Sequence, residues 1–195
     1  MRLLPKIWFS YSVQRLFAIF KYGYFRERMK WSIDSAGQKG NGLYACQEIS
    51  QGEVVFVARG PVREWESVTA DDGATNVNWY GIAKNLWIEM SPPYVLANHS
   101  CEPNMAIDGA RTFVALKPIG VGEELVFDYS ITDDEDTWSM TCFCGSEDCR
   151  KTISSITTLP IAHFENSHPY IPSYFQTVYR TNLMNDRQQI ANKSS

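Results

Sequence analysis

From Trp31 onward the apolar residues fall in short runs, broken repeatedly by Gly, Pro and Asn. This is the pattern of a domain built from many short strands rather than long helices. The runs Leu43–Cys46, Glu53–Ala58, Leu86–Met90, Thr112–Leu116 and Leu125–Tyr129 are the predicted strands. Turns are expected at Gly40-Asn41-Gly42, Ser50-Gln51-Gly52, Pro92-Pro93 and Gly120-Val121-Gly122. Near the C-terminus Pro172 opens a helix whose apolar positions 175, 178, 179 and 183 share one face, and Ala191–Ser195 reads as a frayed tail. At the other end, Ile7–Phe25 is dense in Trp, Phe and Tyr and predicts an amphipathic helix. Arg15 and Lys21 interrupt it, so it falls short of the roughly 18–20 apolar residues of a membrane-spanning helix. The expected fold class is therefore mainly β (α+β), with helical N- and C-terminal extensions.

Composition narrows this picture. A chain of 195 residues, 44% hydrophobic and 21% charged, can bury a substantial core and is neither collagen-like nor intrinsically disordered. Its 18 basic and 22 acidic residues give a net charge of -4, which argues against a phosphate-backbone binder. The charge is uneven, because residues 1–30 hold seven Lys or Arg against Glu27 alone. That leader is +6 and the remaining body, with 11 basic and 21 acidic groups, is -10. The leader either packs its aromatic face on the domain, contacts a membrane surface or nucleic acid, or targets an organelle. It lacks the small-residue cleavage site of a secretory signal. Five cysteines, three of them within eight residues, do not form an even disulfide framework and point to an intracellular location, cytoplasmic or nuclear.

Four groups of residues carry candidate chemistry. Cys142, Cys144 and Cys149 form a C-x-C-x4-C cluster in which Gly145 allows a tight turn around a zinc ion. Its fourth ligand is one of Cys101, Cys46, His99, His163 or His168, and a thiol redox pair of Cys142 and Cys144 is the competing reading. Asn98-His99-Ser100-Cys101-Glu102-Pro103-Asn104 implies a shaped loop. Glu124-Leu125-Val126-Phe127-Asp128-Tyr129 is a strand ending in a tyrosine. Lys39-Gly40-Asn41-Gly42-Leu43 holds a G-x-G without the third glycine of a dinucleotide fingerprint. In addition, Asp133-Asp134-Glu135-Asp136 is either a solvated loop or an acidic rim for a basic protein.

In chain order, from the G-x-G through the 98–104 loop and the 124–129 strand to the cysteine cluster, the four groups resemble the SET-domain family of protein-lysine methyltransferases, of the compact bacterial or viral type, over residues 31–151. The resemblance divides the chain into an extension (1–30), a SET domain (31–141), a post-SET zinc segment (142–151) and a C-terminal helical extension with a tail (152–195). It implies a β-clip of small curved sheets with a pseudoknot in which residues 98–104 thread beneath a loop near Tyr129. It further implies S-adenosylmethionine held by Lys39, Gly40, Asn41, Gly42, Leu43, Asn98, His99, Tyr129 and Phe143. Tyr129 is then the catalytic tyrosine, supported by Asn98 and His99, and Phe127 occupies the position that sets how many methyl groups are added. A phenylalanine there implies products beyond monomethylation. Cys101 becomes the fourth ligand of a zinc shared with Cys142, Cys144 and Cys149. The implied substrate is a basic protein, histone-like or ribosomal, and residues 153–184 would cover part of its groove. The chain departs from the family at Val95-Leu96, where an Arg-Phe pair is common, at Ala58, where a tyrosine is common, and at Lys151, where glycine is common. The alternative function is a non-catalytic, zinc-stabilised binding module.

Overall fold

The structure is a computed structural model that describes residues 29–64, 78–135 and 138–193. The helix expected over Ile7–Phe25, and with it the basic leader, lies outside the described residues. Strands β1 (Trp31–Ser35) and β2 (Asn41–Ala45) form an antiparallel hairpin, with Trp31 opposite Ala45 and Ser35 opposite Asn41. A short 3-10 turn, Gly37–Lys39, joins them, so the G-x-G lies at the turn and the start of β2.

Two further strands, β3 (Val54–Val57) and β4 (Val62–Glu64), lead to a hairpin of β5 (Trp79–Ala83) and β6 (Leu86–Glu89). Strands β4, β6 and β5 make a three-stranded antiparallel sheet in that order. The main sheet adds β7 (Asn98–His99), β8 (Met105–Asp108), β9 (Thr112–Ala115) and β10 (Val126–Phe127). Its strand order is β3-β9-β8-β10-β7. β8 and β9 are buried along nearly their whole lengths, and so they lack the in-out alternation of a half-exposed strand.

The decisive topological feature is the position of β10. It runs parallel to both β7 and β8, with Phe127 opposite His99 on one side and Met105 on the other. The 98–105 segment therefore wraps around a later strand, which is the interlacing expected of a pseudoknot. The expected strand Leu125–Tyr129 is shorter than its apolar pattern suggests. It ends at Phe127 because the Asp128 carboxylate accepts the Ser130 N–H at 3.0 Å and caps a 3-10 turn, Tyr129–Thr132.

The C-terminal region supplies its own core. A short helix α1 (Ile161–Ser167) and a long helix α2 (Ser173–Lys193) gather Phe164, Ile171, Phe175 and Tyr179 against Ala106, Ile131 and Ile156. Pro172 opens α2 as expected, its carbonyl accepting N–H groups from Phe175 and Gln176 at 2.9 and 3.2 Å. Phe175 and Tyr179 are buried, and Val178 and Leu183 pack beside them, matching the predicted face. The helix continues to Lys193, past the point where fraying was expected. No helix among the described residues is long and apolar enough to cross a membrane.

Gly81 of β5 shows how closely α2 fits. A Cβ at this position would stand 2.6 Å from both the Phe175 ring and the Thr132 carbonyl oxygen. Gly81→Ala is expected to destabilise the fold by about 1–3 kcal/mol through overpacking, read as a lowered denaturant midpoint with an unchanged slope.

Candidate active site

The crossing of β7 and β10 brings together residues about thirty positions apart in the chain. Asn104 locks the crossing: its side chain accepts the Val126 N–H at 2.9 Å and donates to the Glu124 carbonyl at 2.8 Å. The Ser100 N–H donates to the Phe127 carbonyl at 3.2 Å. Just past β10, the Tyr129 hydroxyl donates to the Ala97 carbonyl at 2.9 Å. The Tyr129 ring lies 4.8 Å from that of Phe127 and 5.4 Å from that of His99. Phe127 is buried and also meets Phe113 edge-on at 5.1 Å.

Burial, with the Glu124 charge adding to it, raises the Tyr129 pKa well above the ordinary tyrosine value, so the phenol keeps its proton at neutral pH. His99 moves the other way. Burial lowers its pKa to about 4 against the opposing pull of Asp128, and the ring is neutral at pH 7. The Tyr129 N–H donates to His99 Nδ1 at 3.2 Å.

The G-x-G loop is tied to this crossing by one carboxylate. Glu124 pairs with the Lys39 ammonium and accepts from Asn98 Nδ2 at 2.8 Å, while the same amide also donates to the Asn41 carbonyl at 3.0 Å. Gly42 is needed for this closeness, since a Cβ there would meet Glu124 Oε1 at 2.7 Å and Asn98 Nδ2 at 3.1 Å. Gly40 has φ +85° and nothing within 4 Å of where a Cβ would lie, so its backbone borders open space. Leu43 is fully buried; its side chain belongs to the core and its carbonyl accepts the Leu125 N–H at 2.7 Å. Glu124 had no role in the sequence reading. Its position beside the Gly122-Glu123 turn was visible, but its partners come from two other segments.

The cysteines meet on a hairpin loop. Strands β11 (Ser139–Thr141) and β12 (Thr152–Ser154) pair antiparallel, and residues 142–151 form the excursion between them. Among the described residues, Cys101, Cys142, Cys144 and Cys149 place their sulfurs all within 4.8 Å of one another. The Cys101 and Cys142 sulfurs are 3.8 Å apart. Tetrahedral zinc–thiolate bonds of about 2.3 Å put sulfurs about 3.8 Å apart, so the set fits zinc. Backbone N–H groups of Cys144, Arg150 and Lys151 each approach one of these sulfurs at 3.4 Å. No disulfide joins any of the five cysteines.

The other ligand candidates stand apart from the four-sulfur set. Cys46 is exposed and contacts the Met29 carbonyl at 3.4 Å. His163 Nδ1 meets the Cys101 carbonyl at 3.0 Å, and His168 lies 3.0 Å from Arg180. His99 is closer, with Nε2 at 3.4 Å from the Cys101 sulfur. Phe143, between two of the cysteines, is 55% exposed despite its apolar ring. Lys151 adopts φ +63°, a conformation that glycine takes without strain and that lysine rarely adopts.

The acidic run corrects one expectation. Asp133 is buried and its carboxylate accepts the Glu135 N–H at 2.8 Å, while Asp134 accepts the Tyr174 hydroxyl at 2.6 Å. These two carboxylates hold the loop and helix α2 rather than forming a free rim, and Asp136 lies outside the described residues. The contact not legible in the sequence is that of Asp134 with Tyr174, which meet only after α2 docks.

Comparison with known proteins agrees with this geometry. The SET domain family model matches residues 40–130, from the G-x-G loop through the start of the 3-10 turn. The chain is 37% identical over 67 residues to Methyltransferase flvH of Aspergillus flavus, covering 33% of this chain and 38% of that protein. It is 30% identical over 130 residues to Histone-lysine N-methyltransferase trithorax of Drosophila virilis, 59% of this chain and 3% of that protein. A histone-lysine N-methyltransferase of Yarrowia lipolytica described as H3 lysine-36 specific is 29% identical over 136 residues, 60% of this chain and 18% of that one. Among solved structures, KRYPTONITE in complex with mCHG DNA and SAH matches with a TM-score of 0.52 at 22% identity, covering 64% of this chain and 29% of that chain. Residues 40–130 therefore form a SET domain. It spans well under half the length of each of these relatives.

The thiolate cluster generates one measurement. Metal analysis of the purified chain is expected to give one zinc per chain, and its removal by a chelator is expected to lower Tm and release four rapidly titrating thiols in addition to exposed Cys46.

Proposed function

We propose that the protein is an S-adenosylmethionine-dependent protein-lysine N-methyltransferase. The observation that carries this reading is the half-buried Tyr129, its hydroxyl set against the Ala97 carbonyl and its ring against Phe127 beside the Asn98-His99 crossing. The open space at Gly40, the half-exposed ring of Phe143 and the polar groups of Lys39, Asn41, Asn98 and His99 fit S-adenosylmethionine as the bound group. When bound, it supplies an electrophilic methyl group on a sulfonium.

The chain's own residues do the rest. The Tyr129 hydroxyl donates a hydrogen bond to the Ala97 carbonyl, which leaves its oxygen lone pairs free to accept from an incoming amine N–H. Because the phenol stays protonated, it orients the amine rather than acting as a base. A free lysine titrates near about 10.4, and the apolar walls formed by Phe127 and Tyr129 disfavour the ammonium form on entry. Alignment of amine and methyl contributes most of the acceleration, up to about 7–11 kcal/mol for well-oriented reactants. A zinc held by Cys101, Cys142, Cys144 and Cys149 would have no open position for substrate, so it would shape the site without taking part in transfer.

The substrate we propose is a basic protein segment drawn by the net -10 of the body as a whole. Histone-derived peptides are the first choice because relatives carry histone-lysine methyltransferase names. Transfer of radiolabelled methyl groups to histones and ribosomal proteins is expected for the wild type, with Tyr129→Phe lowering kcat by about 10²-fold while cofactor affinity is kept. A wild type that binds the cofactor yet labels no basic protein would return the binding-module reading. Phe127, lacking a hydroxyl that would hold water beside the amine, leaves room for repeated transfer. Mass spectrometry is expected to find di- or trimethylated product, and Phe127→Tyr to shift the product toward monomethyl.

A further inference from the structure

Arg150 directly follows the last cysteine of the cluster, and its side chain touches both halves of the site. Its Nη2 donates to Asp128 Oδ1 at 2.6 Å, its Nε to the Cys101 sulfur at 3.4 Å and its Nη1 to the Ser130 hydroxyl at 3.3 Å. Asp128 is 1% exposed and immediately precedes Tyr129, and Cys101 is equally buried. Besides Arg150, Asp128 Oδ1 accepts the Ser130 N–H, whereas its other oxygen is buried with no partner. The guanidinium is therefore the main counterweight to a buried carboxylate.

A second path runs beside the first. The Tyr129 N–H donates to His99 Nδ1, so that nitrogen carries a lone pair and the ring proton of the neutral imidazole resides on Nε2. Nε2 faces the Cys101 sulfur at 3.4 Å. Arg150 and His99 thus join the same sulfur to the residues on either side of the Asp128–Tyr129 bond.

We propose that Arg150 is a positioning residue that, together with His99 in its Nε2–H form, transmits the geometry of the thiolate cluster to Tyr129. The inference rests on the methyltransferase reading for its kinetic part only. Arg150 touches one sulfur and one carboxylate in fixed planar geometry, which a lysine ammonium cannot reproduce. His99, placed by sequence among the catalytic residues, accordingly acts here through Tyr129 and Cys101 rather than on a reacting atom.

The test uses the full chain supplied with zinc and labelled with ¹⁵N. Long-range ¹H–¹⁵N correlation is expected to find His99 protonated on Nε2 alone. Arg150→Lys is expected to keep the four-thiolate cobalt(II) absorption spectrum, to move the Tyr129 amide resonance, and to lower kcat about 10–100-fold with both KM values within about twofold. An Nδ1–H tautomer, or a Tyr129 amide that does not move while the spectrum is retained, overturns the proposal. If Arg150→Lys does not fold, Arg150→Gln and the tautomer of the wild type decide on the same criteria. Neither resonance measurement requires turnover, so a wild type without transferase activity would count against the proposed function while leaving this relay to be judged separately.

Discussion

Everything in the site depends on a two-residue strand having neighbours on both sides. β10 is too short to hold itself, and its backbone groups are satisfied only because β7 and β8 flank it and the Asn104 side chain completes the ladder. A buried amide without such partners costs about 1–3 kcal/mol, so a strand of two residues is held by its neighbours rather than by its own length. From it follow the burial of Phe127, the start of the 3-10 turn and the reach of Tyr129 to the Ala97 carbonyl.

Glu124 and Arg150 perform the same service at opposite edges of that crossing. Each is a charged group that engages more than one segment: Glu124 joins Lys39 with Asn98, and Arg150 joins Asp128 with Cys101. Half-buried ion pairs contribute little to stability by their attraction alone, because desolvation offsets it. What they contribute is definition, since several hydrogen bonds on one rigid group leave few alternative arrangements. The G-x-G loop and the cysteine loop are in this way indexed to one strand.

The short strands were legible in sequence because Gly and Pro mark their ends, and the face of α2 because Phe175, Val178, Tyr179 and Leu183 keep helical spacing. The candidate site was legible through spacing too, as the four cysteines and the Asn98–Asn104 loop show. What escaped has a common cause. β7 is two residues long and carries no periodicity, and helix α1, at seven residues, is too short to display one. Asp133 and Asp134 read as solvent groups because their partners, Glu135 N–H and Tyr174, are respectively backbone and forty residues distant. Charged side chains reveal their role only when the contact is known, whereas apolar ones announce burial by pattern.

The wrapping of residues 98–105 around β10 also has a temporal meaning. β10 cannot take its place until the earlier segment has been made and left open, and Cys101 then waits for residues 142–149 to complete its set. The contacts that define the site are thus among the most distant along the chain, and closing such loops is slow because their entropy is lost before their contacts form. A nascent chain that ends before the hairpin of β11 and β12 holds most of the sheet but none of the finished centre. Assembly of this site is consequently a late event in the life of the polypeptide, and the Cys101 thiol stands without its three partner sulfurs in the interval.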